Sequence, residues 1–292
     1  VKKKLTDWTE SELIEMCSRY QAGDSTRKLA LEYGYHSFLI GKLLRKRGVE
    51  IRTLSQAVTR FSVNHGAFDR PTAEALYWIG FFFADGTIRT PPVGSESLQV
   101  KLATKDKGHV EKLRTFLKAE HPLSFEPSSK SRNGNGGWQL LICSQPLCDR
   151  IKELGWEKYL QAKPSKQLLR SRHFWRGVID GDGWIGVVKR KKSLVSSEIR
   201  HHPKMVLVGN EAIVGGFRNY IRSRFPAIVT VLGRQQKLWF VSIEGKHCVL
   251  VCKHLYNEHC VSLDRKHEIA RRIVKTAHPR FGYLVDITAR IL

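Results

Sequence analysis

A duplicated helix end limits this fold more than any other feature. Residues 78–88 read WIGFFFADGTI and residues 175–185 read WRGVIDGDGWI, their acids 97 positions apart (182 minus 85). In each copy, small residues recur at i and i+4: Gly80 and Ala84, then Gly177 and Gly181. That spacing lays a flat stripe along a helix, and two flat stripes let two backbones approach closely. Asp85 and Asp182 then arrive side by side at one end of the pair. Gly86 and Gly183 are expected to close the helices in the left-handed cap conformation. The last carbonyls of a helix have no helical partner, and the helix end carries partial negative charge. Two acids and two such ends repel unless a cation sits between them. The carboxylates of Asp85 and Asp182, with the carbonyls of Ala84 and Gly181, are hard donors suited to Mg²⁺ or Ca²⁺.

The surroundings of the two motifs also repeat. Residues 73–85 form an apolar helix. In LQVKLAT, 98–104, Leu98, Val100 and Leu102 share one face of a strand, with Gln99 and Lys101 on the other. KDKGHVEKLRTFL is helical, SSKSRNGNGG is a polar hairpin tip, WQLLICS is a strand and QPLCDRIKELG a helix. The second half reads helix RHFWRGVIDGDG, strands WIGVV and MVLVG, helix NEAIVGGFRNYI, hairpin strands IVTVLG and LWFVSI, and helix HCVLVCKHLY. Both halves follow helix, two strands, helix, two strands, helix. A period near one hundred residues is too long for a solenoid and points to a duplicated half-domain.

A different pattern precedes them. Thr9 and Glu12 have capping-box spacing before an apolar helical period. In residues 26–45, TRKLALEYGYHSFLIGKLLR, Ala30 is fifth, Gly34 ninth, Ile40 fifteenth and Leu43 eighteenth. This resembles the DNA-binding helix-turn-helix, in which a small residue lets two helices cross and a glycine takes the turn. The reading helix would span 37–47, with His36, Ser37, Lys42, Arg45 and Lys46 as contact candidates. A three-helix bundle that binds protein is the alternative. Residues 49–72 show little period and several turn formers, so they are expected to link.

The 292 residues carry 50 Lys+Arg against 27 Asp+Glu, a net charge of +23. Such a balance speaks to partners: nucleic acid first, an anionic membrane second. No run of 18 apolar residues and no signal-peptide pattern is present, so an intracellular, cytoplasmic protein is expected. Six dispersed cysteines do not form a secreted disulfide framework. HCVLVCKHLYNEHC, 247–260, lacks the tight C-x2-C spacing of a zinc site, and Cys248 and Cys252 fall on one helical face as buried apolar residues would.

The paired segments resemble the LAGLIDADG motif of homing endonucleases. In the second copy Gly177, Asp180, Asp182 and Gly183 match; in the first, Gly80, Ala84, Asp85 and Gly86 match, while Phe83 stands at the motif's first acid. The resemblance covers residues 73–292, and the linker with its upstream helix-turn-helix looks like phage and bacterial members. It implies an α+β fold: two pseudo-twofold αββαββα halves, 73–165 and 166–292, form a DNA-binding saddle after a helix-turn-helix domain at 1–48 and a linker at 49–72. It also implies a monomer that cuts both strands of a long asymmetric DNA site, leaving short 3′ overhangs. Asp85 and Asp182 would ligate Mg²⁺, with Ca²⁺ as a non-cutting substitute and Mn²⁺ as a further candidate. Aligning YLQAKPSKQ, 159–167, with SLDRKHEIA, 262–270, pairs Lys163 with Lys266 as the expected water-polarising lysines, with Lys158 and Lys166 in reserve. Thr104, Lys105 and Asn210 are candidates to organise water. DNA contact is expected from Arg89, Gln99, Lys101, Lys130, Arg132, Lys189, Arg190, Lys191, Lys192, Arg234 and Gln235. Two alternatives stand beside this reading: a non-cutting transcription regulator on the same scaffold, and a maturase that binds intron RNA.

Overall fold

The computed structural model describes residues 8–52, 61–130, 136–158, 161–191, 199–257 and 259–278. Two compact units emerge, Val1–Ser62 and Val63–Leu292.

The first unit holds helices α1 (Glu10–Gln21), α2 (Thr26–Tyr33) and α3 (Ser37–Lys46). Thr9 and Glu12 close the capping box: Glu12 N donates to Thr9 Oγ1 at 3.3 Å and Thr9 N to Glu12 Oε2 at 3.0 Å. Gly34 takes φ +73°, a conformation glycine adopts without a Cβ penalty, and the chain turns there from α2 into α3. Met16, Tyr20, Leu29, Ala30, Ile40 and Leu44 form the core. Arg52 belongs here too. Its N–H donates to the Tyr20 hydroxyl at 2.9 Å and its guanidinium lies 4.3 Å from the centre of that ring.

In the second unit, helix α4 (Ala73–Asp85) runs directly into strand β1 (Gly86–Arg89). Strand β2 (Ser97–Ala103), helix α5 (Lys107–Phe116), strands β3 (Ser124–Glu126) and β4 (Gly137–Cys143) and helix α6 (Gln145–Glu153) follow. After a short helix α7 (Lys166–Leu169), the plan recurs as α8 (Arg172–Asp182), β5 (Gly183–Lys191), β6 (Ile199–Gly209), α9 (Glu211–Arg224), β7 (Val231–Gln235), β8 (Leu238–Glu244) and α10 (Gly245–Leu255). Helix α11 (Asp264–Thr276) comes last among the described residues. Each repeat makes one antiparallel sheet, ordered β1-β2-β4-β3 and β5-β6-β8-β7. Residues 63–72, expected as linker, partly pack on this unit: Phe68 is buried and Asn64 N donates to Leu117 O at 2.8 Å.

Alternation decides which sheet face meets the helices. Ile88, Leu98 and Ile142 pair across the first sheet and are buried, while their neighbours Thr87, Gln99 and Leu141 pair on the other face. In the second sheet Ile185, Met205 and Ile243 play the buried part. Cys248 and Cys252 are fully buried on one face of α10 with their sulfurs 3.9 Å apart, packed like small apolar side chains.

The core centres on α4 against α8, and the small residues set that contact. A Cβ on Gly80 would lie 2.0 Å from the Phe174 carbonyl oxygen, and one on Gly177 2.1 Å from that of Tyr77. A Cβ on Gly181 would lie 2.3 Å from the Ala84 Cβ. Any larger side chain would push the backbones apart.

Candidate active site

Helices α4 and α8 end together, each on its aspartate. A Cβ on Gly181 would stand 3.2 Å from Asp85 Oδ2, so the Asp85 carboxylate reaches over the end of the neighbouring helix. Both residues keep access to solvent, yet protein atoms crowd their carboxylates. That crowding pushes Asp85 up to about 6. Burial, and then the charge of Asp85, push Asp182 up to about 7. Acids in this condition take up a proton or a cation readily. All the donors are oxygens, which fits a hard divalent ion.

Gly86 and Gly183 do not adopt the expected left-handed cap. Both are extended, at φ −86°, because each helix passes straight into a strand. Glycine is needed there for space: a Cβ would fall 2.4 Å from the Phe82 carbonyl oxygen and 2.6 Å from that of Ile179.

Lys266, on the first turn of α11, is 4% exposed. Its ammonium donates to the carbonyl oxygens of Ile179 at 2.7 Å, Asp180 at 2.8 Å and Gly183 at 2.5 Å. It also lies 3.4 Å from the Gly181 carbonyl oxygen, so it sits against the end of α8 that carries Asp182. In this geometry Lys266 caps the negative end of α8. Burial lowers it to about 8, against the pull of Asp180 and the two motif acids.

Lys163 differs. Its side chain is exposed and shows no comparable set of bonds. The residues before the two lysines nevertheless meet corresponding caps of the opposite repeat. Asp106 and Asn210 are the N-caps of α5 and α9, at equivalent places in the two repeats. Arg265 Nε donates to Asp106 at 3.1 Å, and Asn210 Nδ2 donates to the Ala162 carbonyl at 2.8 Å. Arg265 and Ala162 are the residues just before Lys266 and Lys163.

Asp180 explains why the side chains diverge. It is 1% exposed and accepts from the hydroxyls of Tyr77 and Tyr256 and from Leu263 N, each at 2.7 Å. Those bonds pin the segment before α11 against α8 and lower Lys266 onto the helix end. Burial raises Asp180 above the usual carboxylate range, opposed by these same bonds. Phe83 holds the matching place in α4, and packs edge-on against Phe174 with ring centres 5.4 Å apart. It offers no oxygen, so it cannot pin a segment that way.

Arg176, Tyr77, Tyr256 and Arg265 escape sequence reasoning. An arginine inside the apolar run FWRGVI is the one visible signal. Arg176 is 1% exposed and donates to the carbonyls of Val261 at 2.8 Å and Leu255 at 3.0 Å. A cavity of about 680 Å³ opens beside Asp182, with Arg89, Lys158, Ala84 and Asn210 in its wall. Thr104, Lys105 and Lys166 are exposed.

The DNA-contact candidates divide. Arg89, Gln99 and Lys101 share the outward face of the first sheet, where Arg89 Nε donates to Gln99 Oε1 at 2.6 Å and Lys101 pairs with Glu126 at 2.9 Å. Lys189, Arg190 and Lys191 are exposed on β5, and Arg190 pairs with Glu244 at 2.6 Å. Arg234 and Gln235 are both exposed but on opposite faces of β7, the Arg234 guanidinium lying 5.7 Å from the Trp239 ring centre. Lys42, Arg45 and Lys46 are exposed on α3 of the first unit. Arg132, Lys192 and the Lys130 side chain lie outside the described residues. Among the described residues no helix is long and apolar enough to cross a membrane.

Residues 72–154 match a family model described as a LAGLIDADG-like domain. Among solved structures, the LAGLIDADG meganuclease I-AabMI bound to uncleaved DNA is similar over 68% of this chain and 90% of its own, at 12% identity and TM-score 0.47. The homing endonuclease I-WcaI bound to its DNA recognition sequence is similar over 76% of this chain and 97% of its own, at 13% identity and TM-score 0.49. None of the curated proteins matches the chain in sequence.

Proposed function

We propose, from the premise that residues 72–154 carry a LAGLIDADG-like domain, that the chain is a site-specific DNA endonuclease of the homing type. It would cut both strands of a long asymmetric duplex site and leave short 3′ overhangs. One observation carries this reading: Asp85 and Asp182 meet at the ends of two tightly packed helices, in a chain of net charge +23. The pair is complete within one chain, which supports action as a monomer.

Asp85 and Asp182, with the carbonyls of Ala84 and Gly181, would hold Mg²⁺ or Mn²⁺; Ca²⁺ is expected to bind without cutting. When bound, such an ion supplies a water of lowered pKa and a countercharge for the leaving oxygen. The chain's own share is positional. The glycine-lined contact of α4 with α8 fixes both acids relative to each other. Lys266 holds the end of α8 and, as a nearby cation, favours the ionised forms of Asp85 and Asp182. Lys163, exposed on the other side, and Lys266 are the candidates to orient a water. Phosphate contacts from the basic sheet faces would set register and affinity, and base-edge contacts the sequence. The helix-turn-helix would add contacts through α3.

Incubating the protein with a pool of duplexes carrying candidate insertion sites, in Mg²⁺ or EDTA, tests this reading. Recurrent cut sites with 3′ overhangs, absent in EDTA, are expected. Specific, salt-sensitive binding with no cutting in Mg²⁺ or Mn²⁺ would contradict it.

A further inference from the structure

The two sheets present unlike outward faces. On the first sheet that face is mostly polar, Leu141 apart, and internally connected. Arg89, Gln99 and Gln139 form a hydrogen-bonded chain across β1, β2 and β4, with Lys101 on the same side. Arginine and glutamine are the side chains that pair with guanine and adenine edges.

On the second sheet the corresponding face is apolar. Ile185, Met205 and Leu207 turn inward, so their neighbours Trp184, Val206 and Val208 turn outward, and register places Val206 opposite both Trp184 and Ser242. Val231 lies opposite Ser242 on β7, and Phe240 opposite Val208. Trp184 is 46% exposed, Val208 36% and Val231 59%. Gly186 makes room for the indole, since a Cβ there would fall 2.4 Å from a Trp184 ring atom. A groove of about 490 Å³ runs along this face, its wall including Val206, Val208, Leu238, Phe240, Lys204 and Gln235. Charged side chains share the face: Arg190 lies opposite Arg200 and Lys204 opposite Glu244, which pairs with Arg190 at 2.6 Å and with Lys204 at 3.0 Å.

We propose that this face reads thymine 5-methyl groups in the major groove, so that the half of the DNA site lying on the second sheet is rich in T·A pairs while the other half is read through purine edges. Apolar side chains meet the thymine methyl, the one apolar group among the base edges of the major groove. Three cations, Arg190, Arg200 and Lys204, stand against the one acid Glu244 on this face, a balance that suits a polyanion and argues against an apolar protein partner. The inference rests on the endonuclease reading above.

The test uses a duplex recovered from the pool, with binding measured in Ca²⁺. Arg89→Ala and Val206→Asn each relax the sequence requirement of one half-site, and so assign the halves to the sheets. Deoxyuridine then replaces thymidine, one half at a time, removing only methyl groups. Each contacted methyl should be worth about fourfold in affinity in the second-sheet half. Less than a twofold change is expected in the other half, and Val206→Asn should shrink the deoxyuridine penalty. Equal penalties in both halves, or none in either, would overturn the proposal while leaving specific binding intact. Failure to recover any specifically bound duplex would overturn the endonuclease reading itself. A DNA-free dimer dispersed by Val206→Asn would assign the face to a second copy of the chain.

Discussion

Gly177→Ala adds one methyl group at one of the tightest points of the central helix pair. The new Cβ would sit 2.1 Å from Tyr77 O and 2.6 Å from Phe81 N, both backbone atoms that cannot rotate aside. To regain ordinary contact, α4 and α8 must part by about 1.3 Å, in a core packed as densely as an organic crystal. Overpacking of this kind costs about 3 kcal/mol at the rigid end of its range. Alanine returns up to about 1 kcal/mol through its better helix propensity. The net loss is therefore about 2 kcal/mol, or roughly 4–8 °C in the melting temperature of a unit this size. Equilibrium urea unfolding followed by circular dichroism measures it. Gly215→Ala in α9 is the control: nothing lies within 4 Å of its Cβ position, so a gain of about 0.5–1 kcal/mol is expected from propensity alone. If Gly177→Ala proved as stable as wild type, the close contact that brings the two acids together would be refuted.

Asp180→Asn keeps the shape but turns an amide toward donors from Tyr77, Tyr256 and Leu263; a loss of about 1–3 kcal/mol in urea unfolding is expected. Lys266→Met strips the cation from the carbonyls of Ile179, Asp180 and Gly183 and should cost about 3 kcal/mol by the same measurement. The acid pair predicts a pH dependence of definite sign. Asp182 is raised from 3.8 to about 7 and Asp85 to about 6, so the folded state binds more protons than the unfolded one between these values. In EDTA the wild type should therefore lose stability as pH rises from about 4 to 8, by about 1–2 kcal/mol after allowance for solvent screening. Melting curves against pH check this: Asp182→Asn should flatten the slope, and Mg²⁺ should raise the wild-type midpoint most at pH 8.

What could be read from the sequence follows from spacing. Glycine and alanine at i and i+4 gave the helix pair, and alternation in β2 gave its two faces, because both signals lie within one element. The conformation of Gly86 and Gly183 was not legible. A glycine that caps a helix and one that avoids a neighbouring carbonyl look identical in a string of letters. The unlike fates of Lys163 and Lys266 were hidden for a different reason. They depend on Asp180 against Phe83, roughly eighty residues upstream of each lysine, and on tyrosines from two other elements. The apolar outward face of the second sheet was masked because β6 ends in MVLVG, a continuous apolar run in which alternation does not show.

Strand-resolved cleavage tests the central claim most directly: two acids, one from each motif, serve one double-strand break. A supercoiled plasmid carrying a recovered site would be cut in Mg²⁺ by wild type, Asp85→Asn and Asp182→Asn, each first shown to fold and to bind the site in Ca²⁺. The account predicts linear product from wild type, none in EDTA, and no linear product from either variant. Linearisation by either variant at the wild-type rate would contradict it.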